Sequence, residues 1–223
     1  MGEDDPMVTI SFVHATSNTL RIMKNLAESE LRDLECLHFL DETLMYRLPK
    51  GDGIPPEMAR RFCNLVIAAD SASPTLIVVT CSSYSGLIPL ARRLVTAPVI
   101  APDREMLESA VKRFESVTLI ATLENAAKSA EKQMEEIASE LGKSIKIEKL
   151  VVDGAIPLLN KGDSEGHDRM VLSAVESHGI KTQGAVLCQF TIAHLEDRVR
   201  GICDRPVLSS LKLTVENIRA LTR

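Results

Sequence analysis

The sequence predicts an α/β protein of two pseudo-symmetric lobes, each built on a parallel sheet, and three observations carry that prediction. Short β-branched runs alternate with longer helical stretches along the whole chain, the rhythm of βαβ units. The run at residues 75–80 (TLIVVT) is apolar almost throughout, as a strand buried on both faces must be. Landmarks of the first half also recur, in the same order, in the second.

Taken in order, residues 8–13 (VTISFV) read as a strand and 19–33 as a helix. Residues 34–40 read as a strand, and 56–69 as a helix that opens on proline, where proline is tolerated. The strand at 75–80 precedes a helix over 84–95 and a short strand at 98–101. The second half follows with a helix at 104–114, a strand at 117–121 and a long Ala/Glu/Lys helix at 124–141 stopped by Gly142. A strand at 145–152, a helix at 165–177, strands at 185–187 and 206–208 and a helix at 214–221 complete the series.

The echo is specific. Val8 recurs as Val117, Asp41 as Asp153, Cys81 as Cys188 and Pro98 as Pro206, at spacings of 109, 112, 107 and 108 residues. A duplicated unit explains the ordered set. It divides the chain into a first lobe, 1–101 plus 209–223, and a second, 102–208.

The bulk composition narrows the function. The chain has 223 residues, 45% of them hydrophobic, enough for a core in each lobe. Aromatics make up 3%, with no Trp, and the net charge is −5; both argue against a nucleic-acid partner. The apolar runs are strand-sized, so no membrane span is expected, and the acidic, polar first residues do not read as a secretory leader. The expected location is cytoplasmic. There the five cysteines, Cys36, Cys63, Cys81, Cys188 and Cys203, should be thiols, and with no CxxC spacing no metal site is expected.

Two of the five stand out. Cys81 and Cys188 each follow an apolar strand and precede a helix, and ligands of parallel α/β sheets bind at the carboxyl ends of strands. A helix N-terminus favours thiolate over thiol. Two such groups on opposite walls of an inter-lobe cleft would remove a proton from one face of a carbon and deliver one to the other. Neighbouring polar residues supply candidate substrate contacts: Ser82 and Ser83, Gln189, Thr122, Thr16, Ser17 and His14, all at expected strand ends. Serine and threonine at such places also serve as ordinary helix caps. Cys36 and Cys63 read as packing residues within a strand and a helix, and Cys203 as a loop residue.

These residues resemble the aspartate/glutamate/hydantoin racemase superfamily. The resemblance rests on Thr80-Cys81-Ser82-Ser83 and Leu187-Cys188-Gln189, with Pro98-Val99-Ile100, Ile120-Ala121-Thr122 and Pro206-Val207-Leu208 in the expected order. It spans residues 8–221. It implies two Rossmann-like lobes, a last helix that returns to the first lobe, and a cofactor-independent isomerase. Cys81 and Cys188 would be acid and base, and Ser82, Ser83, Gln189 and Thr122 would hold the carboxylate of a small acidic substrate. Asn-Thr usually follows the first family cysteine and Thr-His the second; Ser82-Ser83 and Gln189-Phe190 stand here, and His14-Ala15-Thr16-Ser17 replaces an Asp-Ser. These departures point to a racemase or epimerase acting on an acid other than glutamate. An isomerase or decarboxylase using one cysteine, or a small-acid binding protein, is the alternative.

Lesser features have mostly structural readings. Asp41-Glu42 read as a solvated turn. Residues 161–168 (KGDSEGHD) read as a loop into a helix capped by Asp163 or Ser164, with no further ligand spaced to make His167 and Asp168 a metal site. Residues 49–56 read as a Gly/Pro-rich surface connection, with a lid as the alternative, and the helix at 124–141 is a candidate contact in a homo-oligomer.

Overall fold

The computed structural model describes residues 7–49 and 53–222. Lys50, Gly51 and Asp52, in the Gly/Pro-rich connection, and the first six residues lie outside the described residues. The chain divides into two units: Met1–Ala101 with Thr214–Arg223, and Pro102–Leu213. Residues 209–213, expected with the first lobe, fall in the second unit.

The first unit contains β1 (Thr9–His14), α1 (Ser17–Glu30), β2 (Glu35–Leu40), α2 (Thr43–Tyr46), α3 (Pro56–Asp70) and β3 (Leu76–Val79). A 3-10 helix (Ser82–Leu87), α4 (Ile88–Ala91) and β4 (Val99–Ile100) follow. Its four strands are parallel, in the order β2-β1-β3-β4. β3 is buried at every position, as its unbroken apolar run requires. The edge strand β2 is only half-buried. Phe62 and Val66 of α3 pack with Val13, Ile77 and Val79 of the sheet, and with Tyr84 of the 3-10 helix.

The second unit contains α5 (Pro102–Arg113), β5 (Ser116–Ala121), α6 (Glu124–Glu140), β6 (Lys146–Val151), α7 (Ala155–Asn160) and α8 (Ser164–His178). β7 (Gly184–Leu187), α9 (Phe190–Ala193), α10 (Glu196–Cys203) and β8 (Val207–Ser209) complete its strands, and α11 (Ser210–Leu221) begins within it. Its sheet is again parallel, in the order β6-β5-β7-β8, the same topology as the first. Helices cover both faces: α5 and α6 form one apolar layer, and α8 and α10 the other. Gly184 allows a close approach in this core, for a Cβ there would lie 2.6 Å from the Phe114 ring.

α11 finishes in the first unit. Its Arg219 donates to the Asp33 carboxylate at 2.6 Å and to the Glu30 carbonyl at 2.7 Å, past the end of α1. Ile218 on the same helix is fully buried.

Several expected elements differ. The helix expected over 84–95 is instead a 3-10 turn followed by the four-residue α4. Cys203 ends α10 rather than lying in a loop. α2, α7, α9 and α10 are too short for a 3.6-residue periodicity to announce them. Asp163 does cap α8, accepting from the Gly166 N–H at 2.8 Å.

Candidate functional site

The strand registers decide how the two halves of the chain correspond. β1 pairs with β3 so that Val13 faces Val79, and β5 pairs with β7 so that Ile120 faces Leu187. The next backbone N–H in each case returns to the first strand: Thr80 N–H to Val13 O at 3.0 Å, and Cys188 N–H to Ile120 O at 2.9 Å. Thr80 and Cys188 are therefore equivalent, and Cys81 is equivalent to Gln189. The echo that paired the two cysteines is out of step by one residue. Pro98 and Pro206 do match, since their carbonyls accept from Ile77 and Ala185, which are themselves equivalent.

One residue matters, because successive side chains of an extended chain point to opposite faces. Cys81 (φ −114°, ψ 105°) and Gln189 (φ −146°, ψ 144°) are both extended and both immediately precede short helices. Cys188 sits one step back. It is 2% exposed, it packs against the α5–α6 layer, and its thiol donates to the Val186 carbonyl at 3.6 Å. Burial, reinforced by the negative charge of Asp103, pushes this thiol far above its ordinary range. A depressed value was expected from a helix N-terminus, but α9 has four residues and starts two positions later, too short and too distant to offset burial.

Cys81 is half-buried at the end of β3, and Ser82 and Ser83, also half-buried, open the 3-10 helix behind it. Tyr84 anchors this turn. Its hydroxyl donates to the Leu44 carbonyl of α2 at 2.7 Å, and its ring stacks on Phe62 at 5.1 Å between centroids. In the second unit Gln189 and Thr122 meet at the ends of β7 and β5. The Gln189 carboxamide oxygen accepts from the Thr122 N–H at 2.6 Å and from its hydroxyl at 3.1 Å. Two residues on, the Thr191 hydroxyl is buried with no hydrogen-bond partner, as is that of Ser85 in the first unit.

The remaining expected contacts, Thr16, Ser17 and His14, lie in the first unit. Thr16 caps α1, accepting from the Thr19 N–H at 3.2 Å and pairing with the Thr19 hydroxyl at 2.7 Å. Ser17 is exposed in the first turn, and its N–H donates to Glu42. His14 is fully buried, not open to a ligand. Its Nδ1 lies 2.9 Å from the Thr80 hydroxyl and its Nε2 2.9 Å from His38 Nδ1. The Thr80 hydroxyl donates its one proton to the Val13 carbonyl, so it accepts from His14 Nδ1–H, and His14 Nε2 accepts from His38 Nδ1–H. Burial, with the nearby positive charges of His38 and Lys24, lowers the His14 pKa to about 3. This chain, stacked on Phe12, buttresses the residue before Cys81. Sequence reading missed it because its members lie 24 and 66 residues apart.

Two further clusters are structural. Asp41 pairs with Arg61 and accepts from the Thr43 N–H at 3.0 Å. Asp168 bridges His167 and His194, each at 2.8 Å, joining α8 to the end of α9. Among the described residues no group of three His, Cys, Asp or Glu side chains is placed to hold a metal ion, and no helix is long and apolar enough to cross a membrane. A surface hollow of about 490 Å³ in the first unit, lined by Lys24, Glu28, Arg32, Cys36 and His38 among others, includes none of the expected site residues.

No family model and no curated protein matches the chain. Solved structures do. A glutamate racemase from Francisella tularensis subsp. tularensis SCHU S4, in complex with D-glutamate, is similar over 96% of this chain and 80% of its own, at 16% identity and a TM-score of 0.73. An allantoin racemase from Klebsiella pneumoniae is similar over 96% and 87%, at 16% identity and 0.65. An aspartate racemase homologue from Pyrococcus horikoshii OT3 is similar over 97% and 100%, at 18% identity and 0.61. The chain has the fold of these proteins, two four-stranded parallel sheets with their helices.

Proposed function

We propose that this chain is an isomerase of the aspartate/glutamate/hydantoin racemase type, moving a proton at a carbon next to the carboxylate or carbonyl of a small acid, with no cofactor. The observation that carries the reading is Cys81. It is a half-buried thiol at the carboxyl end of a central strand, followed by two serines, in a fold shared with racemases of glutamate and allantoin. As thiolate, Cys81 takes the proton from carbon; as thiol, it gives one back. Hydroxyl and amide donors at strand ends, among them Ser82, Ser83 and Thr122, are the candidates to stabilise the enolate that forms between.

In the two-thiol form of this proposal Cys188 serves the second face and the product is the inverted isomer. The departures at Ser82-Ser83 and Gln189-Phe190 favour a substrate other than glutamate. A second reading is favoured by the register: the position equivalent to Cys81 is Gln189, which suits an isomerase or decarboxylase with one working thiol.

The test is proton exchange in D₂O. Single enantiomers of amino acids, hydroxy acids, hydantoins and substituted malonates are incubated with the protein and followed by NMR and chiral chromatography. Exchange or decarboxylation that falls at least a hundredfold in Cys81→Ser supports the proposal. A complete absence of both across the panel refutes it.

A further inference from the structure

We infer that the first unit carries a separate oxyanion site in the hollow between α1 and β2, where Lys24, Arg32 and His38 hold the phosphate or carboxylate of a small organic acid. The inference goes beyond the function proposed above and does not rest on it.

The lining comes from one helix and one strand, both in the first unit. Lys24, Glu28 and Leu31 follow one another at spacings of four and three residues, which puts them on one face of α1 and its cap. Cys36 and His38 are alternate residues of the edge strand β2, so their side chains leave the same face of the sheet. Leu31, 1% exposed, gives the hollow an apolar wall. Its volume of about 490 Å³ falls in the ordinary range of small-molecule sites.

The cations of the lining lack counter-ions. Among the described residues Lys24 and Arg32 make no ion pair, and Arg32 commits only its Nε, to the Glu28 carbonyl at 2.5 Å. The carbonyls that end α1 would repel an anion, but they are already paired. That of Ala27 accepts from the Leu31 N–H at 3.1 Å, that of Glu28 from Arg32, and that of Glu30 from Arg219 at 2.7 Å. Against the two cations the lining sets the Glu28 carboxylate.

His38 is the third donor. Its Nδ1–H is committed to His14 Nε2 at 2.9 Å, and its Nε2 has no partner among the described residues. Neutral His38 therefore offers the hollow a lone pair. Burial, then the charge of Lys24, favours this neutral form. A bound oxyanion offsets Lys24 and accepts from Nε2–H, so binding draws one proton from water onto Nε2. The groups around His38 are His14 on β1, Lys24 and Glu28 on α1, Arg32 just beyond it and Cys36 on β2; Arg219 of α11 is occupied by Asp33. His14 is held at about 3 and burial holds the Cys36 thiol up, so the proton goes to His38.

The test uses the full chain and sulfate, which stays a dianion from pH 6 to 8, with sodium chloride at matched ionic strength as control. Millimolar sulfate should slow iodoacetamide modification of Cys36 at least fivefold, read by peptide mass spectrometry, and leave Cys203 of the second unit unchanged. Lys24 and Glu28 are exposed, so their variants keep the fold. Lys24→Ala should raise the half-protecting sulfate concentration at least tenfold, and Glu28→Gln should lower it at least threefold. By ¹⁵N NMR the His38 Nε2 signal should move toward its protonated position on addition of sulfate, and protection should weaken as pH rises from 6 to 8. Equal protection by chloride, a Lys24→Ala variant that behaves as wild type, or an unmoved His38 Nε2 would each overturn the inference. Glycerol 3-phosphate and succinate, in separate arms, then tell a phosphate ligand from a carboxylate. Tighter protection by either supports the site, and weaker protection by both would overturn its assignment to an organic acid. No readout involves turnover, so the result stands apart from that of the proton-exchange assay.

Discussion

Acidification should destabilise this protein well above the carboxylate range, because of His14. In the native state His14 is fully buried and neutral, with its pKa lowered to about 3 by burial and by the charges of His38 and Lys24. In the unfolded chain it returns to 6.5. The native state therefore binds fewer protons than the unfolded state between these values. The stabilising contribution is complete above pH 6.5 and is lost as pH falls toward 3. One proton of difference is worth about 1.4 kcal/mol per pH unit, so the loss from pH 6.5 to 5 is roughly 2 kcal/mol. His38 is lowered as well, by burial and then by Lys24, and adds in the same direction. The assay is urea denaturation at half-unit steps from pH 7.5 to 5, comparing wild type with His14→Gln. Glutamine supplies one donor toward Thr80 and one acceptor toward His38 but does not titrate. The wild-type slope should exceed the variant's by about one proton below pH 6. Equal slopes, or stability that rises on acidification, would refute the assignment of His14 as a buried neutral histidine.

Three other substitutions probe the supports of the site. Gly184→Ala drives a methyl into the Phe114 ring and should destabilise by about 1–3 kcal/mol in thermal melts, with Phe114→Leu restoring part of the loss. Tyr84→Phe leaves the Leu44 carbonyl without its donor and should cost about 1–2 kcal/mol; changed alkylation kinetics at Cys81 would show that the turn after β3 has loosened. Asp168 is held below the usual carboxylate range: burial opposes this, but hydrogen bonds from His194 and His167 outweigh it. Its contribution is present above pH 3.8 and is lost as pH falls through the lowered native value, so Asp168→Asn should flatten the acid limb of the stability profile below about pH 4.

The alternation of β-branched runs and helices made the architecture legible, because each buried parallel strand must be apolar and each crossover needs a helix. Duplication was legible for the same reason, as an ordered set of apolar landmarks. The register was not. In a strand buried on both faces every residue is apolar, so Ile77-Val78-Val79 against Ala185-Val186-Leu187 carries no alternation to lock one alignment over its neighbour. Matching cysteine to cysteine was then the obvious choice, and backbone hydrogen bonds alone expose the slip. β1 was misplaced likewise, by two residues, since Ile10 rather than Val8 corresponds to Val117. Gln189 with Thr122 was readable as a pair of strand ends. The His38–His14–Thr80 chain was not, since hydrogen bonding between distant polar residues leaves no local pattern.

The C-terminal helix carries a consequence for biosynthesis. Residues 214–222 pack with the first unit, through Arg219 on Asp33 and Glu30. During translation the first hundred residues emerge without that helix, and the whole Pro102–Leu213 segment must be made before it arrives. The second unit, by contrast, is contiguous and can finish folding as soon as it leaves the ribosome. The half made first is thus the half completed last, and for that interval the end of α1 and Asp33 beyond it wait for a partner still being synthesised.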